Sequence, residues 1–110
     1  MLRLTNPDFE LYIAQSYLDR ARGLIRRENL IDRGGLLICN CNWVHSLFMT
    51  KTTSVFFLDE NFLVLSGPHL LKPWRFSLHN FNAKHTLEVS NSVNSEIIKT
   101  IQSSLIKYFN

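Results

Sequence analysis

The chain has 110 residues, of which 45% are hydrophobic and 12% aromatic, enough for a core that removes roughly two-thirds of the unfolded surface from water without disulfide support. The net charge of +3 is modest, and no run approaches the roughly 18 apolar residues of a membrane span. Asn6, Pro7, Asp8 and Glu10 interrupt any apolar signal segment near Met1, so a single cytoplasmic domain over residues 1–110 is expected.

In chain order, Asn6-Pro7-Asp8 is turn-like, and Glu10 to Ala14 alternates as a first strand. Ser16 offers a helix N-cap with Asp19 at the third helical position, and Gly23 is placed to end that helix in a left-handed conformation before Leu24. Arg33-Gly34-Gly35 reads as a turn, and Leu36 to Cys39 as a second buried strand. Val44 to Met49 alternates, with Val44, Ser46 and Phe48 on one face and His45, Leu47 and Met49 on the other.

Val55-Phe56-Phe57-Leu58 and Phe62-Leu63-Val64-Leu65 are continuous apolar runs of strand length, expected to be covered on both faces. The polar Asp59-Glu60-Asn61 between them predicts a hairpin with Asn61 left-handed. Ser66-Gly67-Pro68 breaks the second run, and Pro73 confines its surroundings to an edge or loop. Phe76 to Leu78 is a short edge-strand candidate, and His85 to Val89 a further strand with Leu87 toward the core and Glu88 turned away. Asn94 or Ser92 caps an amphipathic helix through Ile101. The aromatic and β-branched content of Leu105 to Phe109 favours a final strand over continued helix. The pattern predicts a mainly β fold: a compact antiparallel barrel or sandwich of six to seven strands with one or two short helices.

Charge is uneven. Arg20, Arg22, Arg26, Arg27 and Arg33 crowd one segment, where they could hold a carboxylate or phosphate bidentately. Asp19, Glu28 and Asp32 could equally satisfy them as a solvated mixed-charge face. Cys39 and Cys41, two residues apart, are expected as free thiols because a bridge between them would be strained. The histidines at 45, 69, 79 and 85 show no paired spacing of metal ligands; no metal or cofactor is expected.

The segments Ala21 to Arg27, Gly35 to Ile38, Val44 to Met49, Val55 to Asp59, Leu71 to Arg75 and His85 to Val89 resemble, in order, the domain of unknown function 192 family of bacteria and archaea. The resemblance implies a compact β-rich domain with short helices and supplies no reaction. Arg22, Arg27 and Glu88 fall on the charged positions of the family's motifs. Members usually carry an aspartate shortly after the methionine motif, where this chain has Thr52-Thr53-Ser54. A serine can cap a turn there but cannot act as a carboxylate base or ion ligand.

The sequence has no nucleophile elbow, phosphate loop or zinc signature, so the leading functional reading is a non-enzymatic binding or protein-interaction domain with no catalytic residues. Its candidate contacts to a protein partner or small anionic ligand are Arg22, Arg27, His45, Met49, Ser54 and Glu88. The alternatives are a small hydrolase or transferase using His45 and Glu88 with Asp59, and a weak nucleic-acid binder using the arginines with Trp43, Trp74 and Phe76 for stacking. The small basic excess disfavours nucleic acid. The simplest use of Arg22, Arg27 and Glu88 is a structural arginine–carboxylate pair.

Overall fold

The computed structural model describes residues 2–16, 18, 20, 34–45, 50–74, 78–91 and 93–109. Among the described residues eight strands are formed: β1 (Leu2–Asn6), β2 (Phe9–Ala14), β3 (Gly34–Ile38), β4 (Trp43–Val44), β5 (Thr53–Leu58), β6 (Val64–Leu71), β7 (Leu78–His79) and β8 (His85–Ser90). One long helix, α1 (Ser95–Phe109), closes the chain. Six strands form a sheet in the order β1-β2-β3-β8-β5-β6, and β4 and β7 form a separate two-stranded ribbon.

The fold is mainly β, as expected, but the sheet is mixed rather than antiparallel. β2 and β3 pair in parallel, Tyr12 facing Leu36, because the residues between them are numerous enough for a crossover instead of a hairpin. Among the described residues the sheet has two ends, β1 and β6, and no closed barrel forms. β1 lay outside the predicted elements; it joins β2 through the turn at Pro7 and Asp8, where Asn6 Oδ1 accepts the Asp8 N–H at 2.9 Å.

Strand alternation sorts the core into two layers. Leu11, Ile13, Leu37, Phe56, Leu58, Leu87 and Val89 pack against Ile98, Ile101 and Leu105 of α1. On the opposite face Ala14, Leu36, Ile38, Val55 and Phe57 pack with Leu71, Ala83 and Val44 of the ribbon. All six residues of β5 are buried, in keeping with an apolar run flanked by strands on both sides.

Gly34 and Gly35 begin β3 and do not form the predicted turn. A Cβ on Gly35 would stand 2.7 Å from Glu88 O and 2.9 Å from Val89 Cγ1, so a side chain here would push β3 away from β8. Gly23, expected to end the first helix, lies outside the described residues; nearer its start, Leu18 and Arg20 are helical and Arg20 N–H donates to Ser16 O at 2.9 Å.

The hairpin of β5 and β6 forms, with changes. Asp59 Oδ1 accepts the N–H groups of Asn61 at 2.8 Å and Leu63 at 3.0 Å, while the left-handed residue is Phe62 at φ 65°, not Asn61. An aromatic residue enters that region only where tertiary contacts offset the strain. Phe62 has them, stacked at 4.6 Å on His85 and at 4.8 Å on Phe109. β6 runs through Ser66-Gly67-Pro68 instead of ending there, and it is an edge strand, so Leu63 and Leu65, expected in the core, are 48% and 45% exposed.

The C-terminal segment is helix to Phe109, not strand. Ile98, Ile101 and Leu105 continue one apolar face at i, i+3 and i+7, and their packing on the sheet overrides the β propensity of the last residues. Asn94 is the cap, its Oδ1 accepting the Ile97 N–H at 2.9 Å. Asn94→Ala is expected to lower unfolding free energy by about 1 kcal/mol, read as a shift in denaturant midpoint at constant m.

Candidate functional site

Glu88 lies in the middle of β8, opposite Leu36 on one side and Val55 on the other. Directly opposed residues share a face of the sheet, so Glu88 stands on the face away from α1. The sequence predicted a residue turned away from the core; the carboxylate instead has zero exposure, because this second face is also covered. A carboxylate so placed is stable only when its charge is compensated. Nearby on the same face Thr53 faces Ser90, and its buried Oγ1 has no hydrogen-bond partner among the described residues.

Ser54 belongs to the other face. It is opposite Val89 and Leu70, is buried, and its Oγ donates to Asn91 Oδ1 at 3.3 Å. The sheet therefore separates Ser54 from Glu88. His45 follows β4, half-buried, with its ring 5.7 Å from that of Trp43. Arg22, Arg27 and Met49 lie outside the described residues. Asp59 is engaged in the hairpin turn. Among the described residues no group of three or more His, Cys, Asp or Glu side chains is arranged to hold a metal ion.

Ser54 lines a groove of about 450 Å³. Its floor is Ser54 and Phe56 of β5 with Val64, Pro68 and Leu70 of β6; Val93, Ile98 and Gln102 form the wall, and Lys99 is the charged residue of the lining. The first turn of α1 opens onto it at Asn94 and Ser95. Helix N-terminal amides and a lysine give this apolar trough an electropositive end. Glu96, in the same turn, is exposed and does not line it. Sequence reading found Ser54 but not the groove, since its wall belongs to a helix whose length was underestimated.

His85 is a buried group of another kind. Its Nδ1 accepts the Asn40 N–H at 3.2 Å, and its ring is parallel within 8° to Phe62. Burial, reinforced by Lys84, lowers its pKa from 6.5, with Asp59 opposing. The fold therefore favours neutral imidazole, and between the lowered value and 6.5 the unfolded chain binds more protons. The contribution of His85 to stability is complete above pH 6.5 and is lost as pH falls toward the lowered value. Thermal melts over this range are expected to show melting temperature declining with acidity, and His85→Gln to flatten that slope. Burial also pushes the Cys39 thiol up to about 11, and it is not in a disulfide, so Cys39 is a poor nucleophile.

Residues 2–100 match the profile of the family described as "Uncharacterized ACR", the domain of unknown function 192. A similar protein, UPF0127 protein PH1112 of Pyrococcus horikoshii, is 31% identical over 103 residues, covering 91% of this chain and 88% of that one. The crystal structure of a protein of unknown function from Novosphingobium aromaticivorans DSM 12444 shares the fold with a TM-score of 0.64 and 15% identity, over 86% of this chain and 75% of that one. With the sheet, the helix and the profile in agreement, the chain belongs to the domain of unknown function 192 family.

Proposed function

We propose that this is a non-enzymatic protein-interaction domain, and that its partner lays an amphipathic helix in the groove between β6 and α1. One observation carries the reading: among the described residues, α1 is narrower than the sheet it packs on. Six strands at about 4.8 Å spacing span about 24 Å, whereas one helix covers about 10 Å. α1 packs over Leu11, Ile13, Leu37 and Leu87 in the central strands, which leaves the strip over β5 and β6 as the groove. Its width suits a second helix. Leu70 and Val64, 60% and 37% exposed, would receive the apolar side chains, and Lys99 with the first turn of α1 would face an acidic residue.

A strand added to the β6 edge has less support, because Pro68 lacks a donor and the β5–β6 register shifts twice between Val55 and Leu58. The enzymatic reading also has less support: His45 lies on the ribbon and Glu88 has no access to solvent. No described helix is long and apolar enough to cross a membrane; we infer a cytoplasmic setting, where thiols such as Cys39 and Cys41 persist reduced.

A photo-crosslinking residue at position 70, introduced in cells of the source organism, is expected to give a discrete protein adduct that Lys99→Glu weakens. The same residue at exposed position 15 should not give it. Adducts that are absent, or equal from both positions, would reject the groove.

A further inference from the structure

The two-stranded ribbon carries a second surface, built from rings. Trp43 faces His79 directly across the β4–β7 pair. The His79 ring stacks on Phe81 at 4.3 Å, and Trp43 meets His45 edge-on at 5.7 Å. Beneath them Val44 and Leu78 pack into the core, so alternation turns the rings outward. Phe81 is 76% exposed and Trp43 45%. An aromatic ring exposed to that degree contributes little to folding, and four rings gathered on one outward face form a patch that calls for an occupant.

The register orders the rings along the ribbon. Trp43 and His79 are level, His45 lies beyond one end of the pair and Phe81 beyond the other. Four residues of extended chain span about 13 Å, the reach of two or three nucleotides in an unpaired strand. Two basic residues have their backbone or side chain at the Phe81 end: the Lys84 main-chain carbonyl accepts the Cys41 N–H at 3.1 Å, and Arg20 Nη1 donates to Asn40 O at 3.2 Å. Among the described residues Asp59 is a carboxylate on that side, and its Oδ1 is occupied by the hairpin N–H groups. Asn80, the neighbouring amide, donates to Ser66 Oγ at 3.1 Å and accepts from Asn82 N–H at 3.0 Å, which leaves less capacity for the hydroxyls of a sugar.

We propose that the ribbon face formed by Trp43, His45, His79 and Phe81 is a stacking platform for single-stranded nucleic acid, with Arg20 and Lys84 meeting its phosphates. The proposal is independent of the groove on the other face of the sheet. Stacking on rings tolerates any base, so binding is expected to show little sequence preference and strong salt dependence. The small basic excess that argues against a broad electrostatic binder is compatible with a short platform of this kind.

The test uses Trp74→Phe as the parent, so that tryptophan emission reports Trp43 alone. Titration with oligothymidylate is expected to quench it saturably, with affinity falling at least about tenfold from low to high salt. Phe81→Ala, at an exposed site, should keep the far-ultraviolet circular dichroism and bind about fivefold or more weakly. Absence of quenching by the oligonucleotide, or equal affinity in Phe81→Ala, would overturn the proposal. Quenching by cellohexaose and not by oligothymidylate would overturn it in favour of a glycan surface.

Discussion

Phe57→Ala is expected to lower the free energy of unfolding by about 3–5 kcal/mol, the usual cost of removing a fully buried aromatic side chain and leaving its cavity. Phe57 has zero exposure, in a strand paired on both sides, opposite Ser66 on β6 and Thr86 on β8. Its ring lies 5.7 Å from that of His69 and packs in the layer that joins sheet to ribbon. Neither flank can collapse into the vacated space without breaking ladder hydrogen bonds. Denaturant titration gives the measurement, and an unchanged midpoint would mean that the second layer contributes little to stability.

The other large effect is expected at Glu88. Replacing it with alanine removes a carboxylate of zero exposure and strands whatever positive group compensates it, a change that costs about 3–5 kcal/mol in buried pairs. If Arg22 or Arg27 supplies that charge, as the family motif suggests, the double variant with the matching arginine changed to methionine should cost less than the sum of the single changes. Strict additivity for both arginines would assign the partner elsewhere. Glu88→Gln separates a structural from a ligand-binding role: a structural pair predicts a lowered melting temperature with no ligand present. An unchanged melting temperature together with lost binding of an anionic ligand would reverse that assignment.

Much of the fold was legible, for reasons that can be named. Val55 to Leu58 is apolar at every position, and a strand flanked on both sides in a sheet covered on both faces requires that. Asn94, one of the two caps expected before an apolar periodicity, is the cap of α1. Leu63 and Leu65 misled because an apolar run carries no information on whether its second face will be roofed. Leu105 to Phe109 misled because local β propensity was weighed above the continuing i, i+3, i+7 spacing. The parallel pairing of β2 with β3 depends on contacts far apart in the chain, which periodicity does not report.

The candidate site was less legible. Ser54 and Glu88 were grouped on motif position alone, and strand parity places them on opposite faces. The ring platform escaped notice because Trp43 and His79 are 36 positions apart in the chain and become neighbours only through the β4–β7 pairing.

The position of β8 also has a consequence for the order in which the molecule can assemble. It lies between β3 and β5, yet it is the last strand made. Until residues 85–90 leave the ribosome, the strand that joins the β1-β2-β3 segment to the β5-β6 hairpin is missing, and β3 and β5 each present an unpaired edge of apolar residues. Such edges invite pairing with other chains. The nascent protein is therefore vulnerable to aggregation until residues 85–90 emerge, and a chain ending at residue 84 should be insoluble where residues 1–110 are not. Closure around so late a strand should also make refolding slower than for a sheet built of sequential hairpins.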